Sequence, residues 1–126
     1  MIESVLGIVK DELHNIGVPY EYMRWTSNVN DRYWVGEYSE TPTYNEDGSE
    51  EITLLLTGTT RQSWSMLHQD RSKIEDHFPN IYGLRKSTDD GVVVIFYNSS
   101  LPVPTGEADL KRIQINLQIK AWKGMN

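Results

Sequence analysis

Histidines, serines and carboxylates are the side chains here that could do chemistry, and their spacing decides whether they can act together. The three histidines, His14, His68 and His77, include no pair at the four-residue step that aligns two imidazoles on one helical face. They read as solvated helix residues, with His77 also suited to the negative end of a helix dipole. Ser63, Ser65 and Ser72 stand near His68, but no Gly-x-Ser-x-Gly elbow and no third partner accompany them. Gly58-Thr59-Thr60-Arg61 approaches a phosphate loop most closely. It lacks the extra glycine and the lysine, so a capped helix start explains it better than an anion site. These residues predict a chain that is not an enzyme, with no catalytic residue, no metal ligand and no cofactor.

The carboxylates lead elsewhere. Glu37, Glu40, Glu46, Asp47, Glu50 and Glu51 fall within fifteen residues that hold no basic side chain. Catalytic carboxylates sit in apolar surroundings that separate their pKa values, whereas a mutually repelling group on a hairpin suits a solvated or docking surface. Asn45-Glu46-Asp47-Gly48 lacks the full pattern of a calcium loop. At the other end of the chain Lys111, Arg112, Lys120 and Lys123 follow Asp109, the last acid. An acidic arm and a basic strand could complement each other between copies arranged head to tail, or both could be ordinary solvated faces. Glu46, Asp47, Glu50, Glu51, Arg112, Lys120 and Lys123 are the candidate interface residues. Tyr20, Tyr22, Trp25, Tyr33, Trp34, Tyr38 and Tyr44 crowd the same half of the chain, a composition that both interfaces and strands favour.

These groups must be positioned by a chain of 126 residues, the size of one domain. With 38% hydrophobic and 24% charged residues it has an ordinary globular composition. Cysteine is absent, which removes disulfides and thiolate metal sites. No apolar run approaches the ~20 residues that span a bilayer, so a soluble protein is expected. A net charge of −6 argues against gripping nucleic acid, which calls for a basic surface.

Ile2, Val5, Leu6, Val9, Leu13 and Ile16 recur at helical steps and predict a helix over 1–17, closed by Gly17 and Pro19. Strands are expected over 20–25, 33–39 and 52–58, with a loop over 26–32. The turn signal Glu46-Asp47-Gly48-Ser49 makes the second and third a long hairpin with a polar tip. Residues 60–78 return to helical spacing through Trp64, Leu67, Ile74 and Phe78, with Arg71 in the gap. Thr59 and Gln62 offer a capping box, and Pro79 ends the segment. Strands follow at 82–86 and 92–97, the latter an apolar run covered on both sides. Residues 98–106, with two prolines, read as a loop. The last strand alternates strictly: Ile113, Ile115, Leu117, Ile119 and Ala121 point to a core, and Arg112, Gln114, Asn116, Gln118 and Lys120 away from it. The expected fold is a single α+β domain over 1–126. It has a mainly antiparallel mixed sheet of about four to six strands, two helices on one face and a protruding β-hairpin arm at about 38–52.

The helix ending in Gly17-Val18-Pro19-Tyr20, the strand Tyr33-Trp34-Val35-Gly36 and the return through Ile52-Thr53-Leu54-Leu55-Leu56-Thr57-Gly58 resemble the tail terminator, or tail-completion, proteins of long-tailed bacteriophages and prophages. So do the second helix ending in His77-Phe78-Pro79 and the closing strand Arg112-Ile113-Gln114-Ile115-Asn116-Leu117. The resemblance implies a virion structural protein, made in the bacterial host cytoplasm and found in the virion tail. Several copies, a hexamer being one candidate, would form a ring at the head-proximal end of the tail tube. Such a ring stops tube growth and joins tail to head, so the implied partners are other copies of the chain, the tail tube protein and the head connector. It implies no cofactor, membrane or sequence-specific nucleic acid. The alternatives are another head–tail connector or minor capsid component and, from a different class, a small ligand-binding or enzymatic α+β domain.

Overall fold

The computed structural model describes residues 2–28, 31–41 and 48–124, with the side chain of residue 41 excepted. Its elements are α1 (Ile2–Asn15), β1 (Tyr20–Tyr22), β2 (Arg32–Thr41), β3 (Glu50–Thr60), α2 (Trp64–His77), β4 (Leu84–Ser87), β5 (Gly91–Val103) and β6 (Lys111–Lys123). The strands form one six-stranded sheet in the order β1-β2-β3-β6-β5-β4. β1 runs parallel to β2, and every other pairing is antiparallel. This is the expected α+β mixed sheet with two helices.

α1 buries Val5, Val9 and Leu13, one residue per turn on one stripe. Its end follows from Gly17, which takes φ 81°, a conformation that costs a residue with a Cβ. The Gly17 N–H donates to His14 O and the Val18 N–H to Leu13 O, so the last carbonyls of the helix are satisfied. Val18 and Leu13 are both buried beside this cap, and the chain is thereby aimed into β1.

β6 is the spine of the sheet. Ile113, Ile115, Leu117, Ile119 and Ala121 are buried and alternate with half-buried Arg112, Gln114, Asn116, Gln118 and Lys120, as expected. Register carries this division across the neighbours: Leu54 and Leu56 face Leu117 and Ile115, and Val93 and Ile95 face Ala121 and Ile119. Both helices add their apolar stripes to this face, and together these residues form one core. Two glycines make room for its largest rings. A Cβ at Gly58 would lie 2.5 Å from the Trp34 indole, and one at Gly36 2.5 Å from the Tyr20 hydroxyl.

Several local expectations are corrected. Residues 98–103 are not a loop: after a register shift between Tyr97 and Ser99, β5 continues along β6 to Val103. β4 pairs no further along β5 than Ile95, so Pro102 lies where one edge is open and its missing N–H costs no ladder bond. Thr59 and Thr60 belong to β3. α2 starts after Ser63, which caps it without a side-chain bond, so the Thr59/Gln62 capping box does not form. The α2 core stripe is Leu67, Asp70 and Ile74, while Trp64 is exposed. β1 stops at Tyr22 and β4 begins only at Leu84. On β5, Val93 and Ile95 face the helices, whereas Val92 on the other side is buried and Val94 and Phe96 are half-buried beside Gly83.

Residues 38–41 and 50–52 are part of the sheet body, because β3 pairs with β6 from Glu50 onward. The expected hairpin tip, including Glu46 and Asp47, lies outside the described residues.

Candidate assembly surfaces

A buried charge fixes how α2 sits on the sheet. Asp70, 1% exposed, accepts from Arg32 Nε at 2.7 Å, Arg32 Nη2 at 3.1 Å and Trp34 Nε1 at 2.8 Å. A carboxylate this deep is tolerated because its oxygens are met by a guanidinium fork and an indole N–H. Those bonds to Asp70, opposed by partial burial, raise the Arg32 pKa above its ordinary value. Arg32 also reaches Gly17 O at 3.3 Å, so one side chain ties β2, α2 and the end of α1 together.

A second cluster joins α1, α2 and β4. Glu12 Oε1 lies 3.0 Å from His77 Nε2 and 3.5 Å from Lys86 Nζ. Burial works to raise the Glu12 pKa, but the hydrogen bond from His77 and the charge of Lys86 hold it below the usual value. His14 Nε2 bonds Tyr20 O at 2.9 Å. His14 and His68 are both exposed, as expected, the His68 ring lying beside Trp64; His77 alone is half-buried and tied to another helix instead of being simply solvated. No serine of α2 bonds His68 among the described residues, and no group of three or more His, Cys, Asp or Glu side chains there could hold a metal ion. No described helix is long and apolar enough to cross a membrane.

The face of the sheet turned away from the helices has no covering layer among the described residues. Its centre sets Leu55 and Glu37 beside neutral polar side chains, among which Thr53 donates to Gln118 and Asn116 to Ser99. Toward β5 it becomes apolar through Val92, Val94 and Trp122, which with Arg85 line a shallow cleft.

The sequence-predicted interface residues do not form one patch. Glu51 lies directly across from Lys120 on this open face, so these opposite charges face each other within a single chain. Glu50 lies opposite Ala121, and Lys123 stands at the strand end opposite Gly91. Arg112 is on the open face too, but eight residues from Lys120, or about 27 Å along the strand. There it lines a concavity of ≈ 470 Å³ with Tyr33, Thr59, Arg61 and Leu110. Arg61 is committed to Glu107 at 3.1 Å and Asp109 at 2.9 Å, which depresses the Asp109 pKa, so the start of α2 offers no free arginine to an anion.

Both lateral edges carry exposed apolar side chains that the pattern of charges did not single out. Beside β4, Ile81 is 78% and Tyr82 84% exposed on the turn between Phe78 and Leu84. Beside β1, Tyr22 and Met23 are 41% and 55% exposed. Tyr22 stacks on Tyr38 and Trp25 on Tyr33, while Tyr20 and Trp34 are buried in the core, so the described part of the aromatic crowding divides between core and edge.

No known family model matches the chain, and no curated protein matches it either.

Proposed function

We propose that this chain is a structural subunit of a long-tailed phage or prophage particle, a tail terminator that assembles into a ring at the head-proximal end of the tail tube. The observation that carries the reading is the uncovered face of the six-stranded sheet. β5 and β6 run 13 residues, β3 11 and β2 10, but the edge strands β4 and β1 only 4 and 3, so at about 3.4 Å per residue and 4.8 Å per strand the face offers roughly 900 Å². A standard protein interface needs about 800 Å² from each partner. Its half-buried amides and apolar flank suit contact with protein better than with DNA, which calls for a basic surface. The placement of Glu51 across from Lys120 moves the expected contact away from charge pairing between copies and toward this face and the apolar edges. Another connector of the head–tail junction would use the same surfaces.

The concavity at Arg112 supports a ligand-binding reading second. Most of its polar groups are already engaged, Thr60 with Asp31 O and the Gln62 N–H, and Arg61 with its two carboxylates.

The discriminating experiment adds the chain to polymerising tail tube protein. Capped tubes of bounded length with extra density at one end are expected. Unchanged tube lengths and no co-sedimentation would remove the terminator reading.

A further inference from the structure

Growth of the sheet by a further strand is held back at both edges. β4 has four residues and carries Arg85 and Lys86, and β1 has three. β1 gives out at Met23, whose φ of 70° turns the chain so that the Arg24 N–H donates to Tyr22 O. Beyond Gly36, where pairing with β1 stops, β2 carries Glu37 and Glu40. Beyond Ile95, where pairing with β4 stops, β5 carries Pro102. Short strands, charges and a proline are the devices that keep a sheet edge from adding a strand.

The uncovered face is different. Among the described residues its charges are Glu21, Glu37 and Glu51 against Arg85, Arg112 and Lys120. The face is therefore neutral on a chain whose net charge is −6. Two copies that repel through the rest of their surface can meet there without that penalty. Val35, Leu55, Val94, Phe96, Leu101 and Trp122 place apolar side chains among the amides and threonines, and all but exposed Leu101 are half-buried.

Register makes this face complementary to itself. Its midline runs between β3 and β6. A two-fold axis along that line, parallel to the strands, sets β3 against β6 of the other copy and β2 against β5. Residues of one row then meet: Thr53 comes to Gln118, Val35 to Leu101 and Tyr33 to Val103. Glu51 and Lys120, already neighbours in one chain, are closed by the second copy into a square of four alternating charges. With roughly 900 Å² from each copy, the contact exceeds the about 800 Å² per partner of a standard interface.

We infer that two copies of the chain pack uncovered face against uncovered face about this axis. Such a contact is isologous: it closes on itself and leaves the apolar side chains of both lateral edges free for a ring. This inference rests on the assembly reading and names what meets the face.

The test uses the absence of native cysteine. Thr53 stands beside the axis, and facing sheets lie about 10 Å apart, within reach of a short bismaleimide. Thr53→Cys should crosslink to dimers and no further, whereas Ser72→Cys, on the exposed side of α2, should stay monomeric. In parallel, sedimentation equilibrium should show the pair weakened about 30-fold by Leu101→Asp, which lies outside the core. Ile81→Asp, on the β4 edge, should leave the pair unchanged. A Thr53→Cys chain that links no more than Ser72→Cys overturns the contact. So does a Leu101→Asp chain that associates like the wild type, or an Ile81→Asp chain that loses the dimer. Rings or capped tubes from a chain that gives no Thr53→Cys dimer would discard the pair and keep the assembly reading. A crosslinked dimer that leaves tube lengths unchanged would keep the pair and discard the terminator reading.

Discussion

Replacing Asp70 by Asn tests the clamp that sets α2 against the sheet. The change keeps the shape of the side chain and removes its charge, leaving the Arg32 guanidinium beside an amide. The amide oxygen in the place of Oδ2 can still accept from both Trp34 Nε1 and Arg32 Nε, but its NH₂ then faces Arg32 Nη2, a donor that Asp70 now satisfies at 3.1 Å. Breaking a buried ion pair by removing one partner costs about 3–5 kcal/mol. Arg32 is 20% exposed and keeps Asp31 at 3.3 Å, so part of that cost is recovered and about 2–4 kcal/mol is expected. On a typical stability of roughly 5–15 kcal/mol, this is a large fraction. Urea unfolding followed by tryptophan fluorescence, to which Trp34 contributes as one of four tryptophans, and by far-UV circular dichroism gives the value directly. Adding Arg32→Leu to Asp70→Asn should recover part of the loss, because the orphaned charge is then gone. A cost below about 1 kcal/mol, or a second substitution that adds its full penalty, would refute the view of Asp70 as a buried anchor.

Glu12 gives a pH dependence. Its folded pKa is lowered from 4.5, so its contribution is fully present above that value and is lost as pH falls through the folded pKa. Melting temperatures recorded downward from pH 6 should decline with a slope that Glu12→Gln flattens. Gly58→Ala drives a methyl into the Trp34 ring and should cost about 1–3 kcal/mol by overpacking, with a shifted tryptophan emission; an unchanged unfolding midpoint would contradict the close approach. Lys120→Glu places like charge across from Glu51 and should cost roughly 0.2–1 kcal/mol, recovered when Glu51→Lys is added. A swap no more stable than the single variant would show that the two side chains do not interact.

The sequence made some of this readable and hid the rest for physical reasons. β6 alternates so strictly that its core side follows from period alone. The end of α1 follows from Gly17 and Pro19 in the same way. Apolarity alone puts Trp64 on a stripe with Leu67, Ile74 and Phe78; the last three are buried, Trp64 is exposed, and apolarity passes over Asp70. The signal was present, since Leu67, Asp70 and Ile74 sit at steps of three and four, and an acid on such a stripe calls for a buried cation. Ser99 through Val103 carry loop composition, yet pairing with the spine strand holds them extended, a tertiary effect that local propensity does not contain. The charged residues chosen as an interface were selected by sign and position in the chain. Register then set Glu51 against Lys120 and left Arg112 at the far end of the strand. The edge features escaped for a related reason: aromatic crowding is visible in sequence, but the neighbour relations of β1 and β4 exist only once the sheet order is known.

The central claim, that the uncovered sheet face and its apolar edges make this chain a self-assembling subunit, is tested most directly by light scattering across a wide concentration range, with negative-stain images of the same samples. A mass rising to a fixed multiple of the 14.6 kDa chain, with closed rings in the images, is the predicted result. A chain that stays monomeric at every concentration and also in the presence of tail tube protein would contradict it.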